Sequence, residues 1–462
     1  METGKMTSSL ADFIERAEMS QIPKVVVQKA KLLVSDFLGV SVAGSVEGPA
    51  KIIHEMIDDQ GIKSGVTIIG TGLISHPTWA SLANGISGHI LDYDDVSQPM
   101  YGHPTVAVLS ACLAVGEFLG ANGMAILESY IIGLEVAVKL AYGMNPAHYE
   151  KGWHSTCTLG SMGATAAAAK LLGLKGQQLR SALAIGASQA GGLQLNFGTM
   201  TKSFHAGRAA ENGVLAALLA RKGWTGDQAI LDSSRGFFRI FGGPDGEEHT
   251  RFLEKLGRPF DIEQPGIILK KYPSCAFSHP VVDAALEITR APRYDPRDVD
   301  RVEGHIHALA DQILIHHHPT TGLEAKFSME ACIAIALLDG KVNSKSFCDE
   351  RVRRSDIQTM MTRIKRKVHT NKGDGPKGFG PATVRVYLRG GDILEARVEK
   401  AKGDPENPLD SHEIREKYMD CCSGVLPEGS IETSLSLLQG LERLENVREL
   451  MACFRVSQVS SR

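Results

Sequence analysis

A mainly α fold, with a large all-helical domain and a smaller inserted α+β unit, follows from three features of this 462-residue sequence. Apolar residues recur on a helical period through most positions up to about Phe260. Strand-like alternation is concentrated between Val299 and Val398. Helical periodicity then returns after Asn407. The expected division is residues 1–268 with 405–462 as the helical domain, and 269–404 as the α+β unit.

Val25–Val42 opens the helical series and ends at Ala43-Gly44. Pro77–Ile90, Thr105–Leu119, Met124–Met144, Leu159–Leu172, Gln177–Ala187 and Ala206–Arg221 follow, with Gly or Pro near their ends. Val66–Gly70 is the one β-like segment among them. Between Gly160 and Lys170 nearly every residue is Gly, Ala, Ser or Thr. So little side-chain volume lets neighbouring backbones approach closely, which predicts a central helix rather than a surface one. In the second unit Ser278–Thr289 and Leu323–Leu338 read as helices and Val299–His307 as a strand. Thr383–Leu388 and Ile393–Val398 read as a hairpin, since Gly390-Gly391 between them suits a tight turn. The basic, glycine-rich run Arg363–Gly380 reads as a mobile loop. His412–Cys422, Ser430–Gln439 and Leu441–Phe454 read as helices of the first domain.

Charge is balanced, 50 Lys and Arg against 53 Asp and Glu, for a formal net charge of −3. Neither nucleic-acid binding nor attraction to a membrane surface is expected, and an anionic substrate would need a local cationic cluster. No apolar run approaches the length of a bilayer span. Met1–Ile14 lacks the apolar core of a secretory signal and carries Glu2 and Asp12. The eight cysteines are scattered without a CxxC pair, as expected for reduced thiols in a cytoplasmic protein. No GxGxxG follows a strand and no P-loop is present.

Lys202, His205 and Arg208 are spaced three apart and so share one helix face. Thr199, Thr201 and Ser203 are candidate N-cap residues, which would put these cations where a helix start also attracts anions. That arrangement suits a carboxylate-rich substrate, although a solvated face is the ordinary alternative. Asp92-Tyr93-Asp94-Asp95 crowds three carboxylates ahead of His103. They could hold Mg²⁺, provide a base beside His103, or cap the helix that begins near Thr105, and crowding predicts a raised pKa for one of them. His305-Ile306-His307 and His316-His317-His318 look metal-like, but three consecutive imidazoles cannot converge and no supporting shell is evident, so no metal is expected. Lys270-Lys271-Tyr272-Pro273-Ser274-Cys275 joins the two expected domains, where clefts for small molecules concentrate.

Asp92-Tyr93-Asp94-Asp95 with His103-Pro104, Gly152-Trp153-His154, Lys202 through Gly207, and Lys270-x-Tyr-Pro-x-Cys with His279 resemble the MmgE/PrpD family. So do Glu324-Ala325-Lys326-Phe327-Ser328 and Gly403 through Pro408, so the resemblance runs in order over nearly the whole chain. The family contains 2-methylcitrate dehydratase, cis-aconitate decarboxylase and iminodisuccinate epimerase. The resemblance implies a helical domain with an α+β lid, a homodimer, no metal or organic cofactor, and a catalytic set of Asp92, His103, His154, Lys202 and Lys270. His205, Arg208, Lys271 and Cys275 are expected as substrate contacts. Two positions depart from the family pattern: Cys275 stands where decarboxylase-type members carry a histidine, and Ala331 where many members carry a tyrosine.

All these activities pass through negative charge on a carbon next to a carboxylate. Lys202 and Lys270 suit stabilisation of that charge, and His103 or His154 suits movement of the proton. The expected function is a cofactor-free lyase, a dehydratase or decarboxylase, acting on a small di- or tricarboxylate. Epimerisation of an amino-dicarboxylate such as iminodisuccinate is the alternative within the family. Non-catalytic carboxylate binding is the alternative of another class, and it leaves the histidines without a purpose.

Overall fold

The small-residue helix spans Ser155–Leu171, and every residue from Ser155 to Ala169 is buried. The protein is seen here in a computed structural model that describes residues 5–242, 247–369 and 379–456. Helices Pro104–Leu119, Gly123–Met144, Gly176–Gln189 and Met200–Arg221 pack around the central one. Glycines set the spacing. A Cβ on Gly163 would lie 2.6 Å from the Gly133 carbonyl oxygen, and one on Gly85 would lie 2.6 Å from the Cα of Gly207. Glycine inside a helix costs roughly 1 kcal/mol against alanine, and here it permits contacts that no larger residue allows. The Gly85–Gly207 contact also positions chemistry. It brings Pro77–His89 against Met200–Arg221 in opposite directions, so His89 at the end of one helix meets Lys202 near the start of the other.

The C-terminal segments return to this helical body. Val34, Leu38, Tyr130, Tyr418, Leu438 and Leu450 share one hydrophobic cluster, and Lys417 pairs with Asp36 at 2.7 Å. A separate cluster joins Val281, Val302, Ile306, Ile333, Ile357 and Val384 around a four-stranded sheet. Its strands are β3 (Val299–His307), β4 (Ile364–His369), β5 (Ala382–Leu388) and β6 (Ile393–Val398), in the order β4-β3-β5-β6. β3 and β4 are parallel, and the other pairs are antiparallel. The expected hairpin is present, with Tyr387 opposite Ile393 and Gly391 at φ 93°. β1 (Val66–Thr67) and β2 (Ile74–Ser75) form a small ladder of their own, so Val66–Gly70 is strand only at its start.

Several elements differ from expectation. Arg363–Gly380 is not a loop throughout: Arg363 ends the helix Ser355–Arg363, Ile364–His369 is the edge strand β4, and residues 370–378 lie outside the described residues. Within β4 only Ile364 is buried, so the segment carries no alternation to read. The expected helix Leu323–Leu338 breaks after the turn Gly322–Ala325, and Ser328 caps a new helix, Met329–Asp339, by accepting the Ala331 N–H at 3.1 Å. Leu441–Phe454 likewise divides into a turn, Leu441–Arg443, and a short helix, Val447–Ala452, capped by Asn446. Helices Lys5–Arg16 and Gly48–Asp58 were not anticipated; the first buries Met6, Leu10 and Ile14 along one face. Among the described residues no helix is long and apolar enough to cross a membrane.

Candidate active site

Three buried lysines from three distant segments hold three consecutive carbonyls. Lys326 Nζ donates to Leu91 O at 2.8 Å, Lys270 Nζ to Asp92 O at 2.8 Å, and Lys417 Nζ to Tyr93 O at 2.9 Å. These carbonyls follow the helix Pro77–His89, where unpaired backbone oxygens attract cations. The loop they hold is strained. Asp92, at φ 52°, and Tyr101, at φ 48°, are the two non-glycine residues with positive φ among the described residues, and both line one cavity. Such conformations cost on the order of 1–3 kcal/mol and persist where their surroundings over-determine them. The break before Ser328 has a consequence here, because it releases Lys326 and Phe327 from a continuous helix and turns them toward this loop.

The carboxylates divide their work. Asp92 Oδ1 lies 2.8 Å from Lys202 Nζ, 3.2 Å from Lys270 Nζ and 3.6 Å from His103 Nε2. Burial alone would raise its pKa, but the fields of Lys202 and Lys270 overcome this and hold it well below the usual carboxylate range. Asp94 faces two imidazoles, His89 Nδ1 at 2.8 Å and His103 Nδ1 at 3.2 Å, the second contact poorly aligned for a hydrogen bond. Asp95 leaves the site: it accepts the N–H and the hydroxyl of Thr105 and so caps the helix Pro104–Leu119. Burial pushes its carboxyl well above the usual range. One of the three crowded carboxylates is thus a structural cap, and the other two hold cations and imidazoles.

Hydrogen-bond direction assigns the protons. Lys202 donates to Asp92 Oδ1 and, at 2.7 Å, to His89 Nε2. His89 must then carry its proton on Nδ1 and give it to Asp94. Burial lowers the His89 pKa to about 4, so the ring is neutral. His103 is also shifted down by burial, partly opposed by Asp94. Its Nδ1 lies on the Asp94 side and its Nε2 on the Asp92 side, and the ring lines the cavity. His154 Nδ1 meets His205 Nδ1 at 3.0 Å, leaving its Nε2 for the cavity it lines.

The cavity draws on both parts of the chain. Asp92, His103, His154, Lys202 and Lys270 line it together with Tyr101, Tyr149, Phe197, Phe277, Ile313, Phe327 and Phe379. Its free volume is about 40 Å³, far below the roughly 150 Å³ of a cavity that takes up a benzene.

The sequence carries two matching family patterns, the MmgE/PrpD N-terminal domain over residues 8–249 and the MmgE/PrpD C-terminal domain over residues 272–442. The chain belongs to the MmgE/PrpD family. It is 27% identical to cis-aconitate decarboxylase of Mus musculus over 456 residues, covering 96% of this chain and 91% of that one. It is 24% identical to cis-aconitate decarboxylase of Aspergillus terreus, covering 96% and 95%. It is 23% identical to a protein named 2-methylcitrate dehydratase, mitochondrial, of Yarrowia lipolytica, covering 94% and 87%.

In this MmgE/PrpD chain the five residues expected to be catalytic all line the one cavity, and Cys275 lines it too, with burial pushing its thiol up to about 12. His205 stands behind His154. Two other expected contacts point elsewhere: Arg208 pairs with Glu211 at 2.8 Å and Lys271 with Glu413 at 2.7 Å. The shared helix face of 202, 205 and 208 therefore divides, with two residues buried and Arg208 half-exposed. The metal-like histidines do not converge: His305 lies 3.5 Å from Glu303, His307 Nδ1 accepts the Leu309 N–H, and His317 lies 3.3 Å from Glu330. Sequence reasoning missed His89, whose one signal is its place three residues before Asp92 at the end of a small-residue helix. It also missed Lys326, which sits inside a family motif but shows its role only through Leu91.

Proposed function

We propose that this MmgE/PrpD chain is a lyase that removes water or CO₂ from a small carboxylic acid through proton transfer at a carbon next to a carboxylate. The observation that carries the reading is that His103, with its pKa lowered by burial and its ring set against Asp94, lines one cavity with the ammonium groups of Lys202 and Lys270. His103 Nε2 is placed to take a proton from carbon. The electron pair then spreads into the neighbouring carboxylate as an aci-carboxylate, where Lys202 and Lys270 stabilise it. In a dehydration the C–O bond breaks next, and the departing hydroxide recovers a proton to leave as water. In a decarboxylation CO₂ leaves first, and the carbanion takes up a proton that solvent delivers through His103, which ends as it began. The names of the relatives, cis-aconitate decarboxylase and 2-methylcitrate dehydratase, support both forms.

A cavity of about 40 Å³ is too small for a six-carbon acid, so the reading requires the unit formed by residues 269–404 to act as a lid that separates from the helical domain during entry. As in the family at large, we take the working form to be a homodimer; light scattering should give about twice the 49.8 kDa chain mass. The direct test is proton NMR in D₂O with citrate, 2-methylcitrate, cis-aconitate and alkyl-substituted malates. Alkene formation or CO₂ release supports the lyase. Deuterium uptake without net product would replace it with an epimerase.

A further inference from the structure

We infer that the substrate is a dicarboxylate bearing an apolar arm, rather than a citrate-like tricarboxylate; the inference deepens the lyase reading and rests on it. Two cationic side chains, Lys202 and Lys270, line the cavity among the described residues, and both lie within 3.2 Å of the same Asp92 oxygen. Their charge is already partly neutralised. The other cations nearby are committed elsewhere: Lys326 and Lys417 to backbone carbonyls, Lys271 to Glu413, and Arg208 to Glu211. No arginine lines the cavity among the described residues. Cys275 in the same lining, its thiol pushed up to about 12 by burial, adds no charge. A third carboxylate would find no further lysine or arginine there, only neutral donors from Tyr101, Tyr149 and His154, and burying a charge without a counter-charge is unfavourable.

Most of the remaining lining has the opposite character, Tyr101 and Tyr149 apart. Phe197 and Phe327 stack at 5.7 Å, Phe277 and Phe379 meet edge to face at 4.7 Å, and Ile313 joins them. Lys202 Nζ lies 5.3 Å from the centre of the Phe327 ring and 5.6 Å from that of Phe197, so apolar surface begins beside the ammonium. These side chains offer no hydrogen bond to a carboxylate, whereas an alkyl or aryl group would gain from leaving water against them. A 2-substituted malate suits both kinds of lining. One carboxylate reaches the lysines, the adjacent C3 proton passes to His103, the C2–O bond breaks, and hydroxide takes the proton back from His103 and leaves as water. The product is a 2-substituted butenedioate, and His103 returns to its starting state.

The test combines titration calorimetry and steady-state kinetics on the full chain, comparing 2-benzylmalate and 2-isopropylmalate with citrate, 2-methylcitrate and cis-aconitate. At least 10-fold tighter binding and at least 10-fold higher kcat/KM are expected for the apolar acids. Cys275→His should narrow that gap by improving the tricarboxylates. Equal or tighter binding of a tricarboxylate overturns the inference, and its turnover would leave the lyase reading standing. Preferential binding of the apolar acids without turnover of any acid supports the ligand class and overturns the lyase. Failure of every acid to bind overturns both.

Discussion

His89 and Lys202 are joined tip to tip, Nε2 to Nζ at 2.7 Å, across 113 positions of sequence. The contact aims one ammonium proton away from the cavity and fixes the His89 tautomer, which in turn fixes Asp94 between two imidazoles. His89 does not line the cavity, so its effect passes through Lys202 and Asp94. Losing a hydrogen bond to a charged group costs about 1.5–3 kcal/mol. His89→Gln should therefore lower kcat on the order of 10- to 100-fold, with KM changed less, and move the pH profile of kcat. An unchanged profile would show that His89 is only packing.

His103 and His154 should behave differently from the lysines. His103→Gln or His154→Gln should leave the Kd of substrate within a few-fold while turnover falls roughly 10²–10⁴-fold, the usual scale of acid–base catalysis. Lys202→Ala should weaken both. Near-normal turnover in both histidine variants would assign the proton to another group, with Asp92 or Cys275 the next to examine.

Asp92 separates charge from backbone. Removing one partner from a buried ion pair costs roughly 3–5 kcal/mol, and both Asp92→Asn and Asp92→Ala do so. Asparagine tolerates the left-handed conformation found at φ 52°, whereas alanine loses about 1–2 kcal/mol more. Thermal and denaturant unfolding should rank wild type above Asp92→Asn, and Asp92→Asn above Asp92→Ala. Equal stability of the two variants would mean that the loop relaxes.

Acid should destabilise the protein in two stages. Burial lowers His54, His89 and His205 to about 4 and His279 to about 3, against about 6.5 unfolded. Between these values the unfolded chain binds more protons than the native one, so stability falls as pH drops from about 6.5 toward 4, by roughly 3 kcal/mol for His89. Asp92 is shifted down, so its contribution is present above about pH 3.9 and is lost only at lower pH, as its folded carboxyl takes up a proton. Melting curves between pH 8 and 3 check the order. His54, outside the cavity, is the control: His54→Gln should flatten the first stage and leave turnover unchanged.

Chelation should have no effect. His89, Asp92, Asp94 and His103 offer ligand atoms within 4.8 Å of one another, a spacing that could hold a metal ion. Two ammonium groups already stand against Asp92, and one of them covers His89 Nε2. A divalent ion would have to displace them against like charge. Turnover should survive exhaustive EDTA treatment; stoichiometric metal whose removal abolishes activity would refute this.

Much of the scaffold was legible because its causes are local. Helical periodicity, the stretch of small residues from Gly160 to Lys170 and the Gly390-Gly391 turn each act within a few residues of sequence, and each appears where expected. β4 was not legible, because an edge strand with one buried residue is strand only by virtue of its partner β3. The breaks at Ser328 and Asn446 rest on single caps inside patterns that otherwise continue as helix.

The site divides the same way. Sequence by itself determined which titratable groups the protein has to work with, and its resemblance to the MmgE/PrpD family implied Asp92, His103, His154, Lys202 and Lys270 as one set. Tertiary structure alone decided their partners: Asp92 meets Lys202 and Lys270 across 110 and 178 positions, and Lys326 reaches Leu91 across 235. It decided that Asp95 caps a helix while Asp94 orients imidazoles, and that Arg208 turns outward while Lys202 turns in. The reason is physical. Helical and strand preferences are set by neighbours along the chain, whereas the protonation state and aim of a buried charge are set by whichever distant groups packing brings within about 4 Å, where Coulomb and desolvation energies are largest.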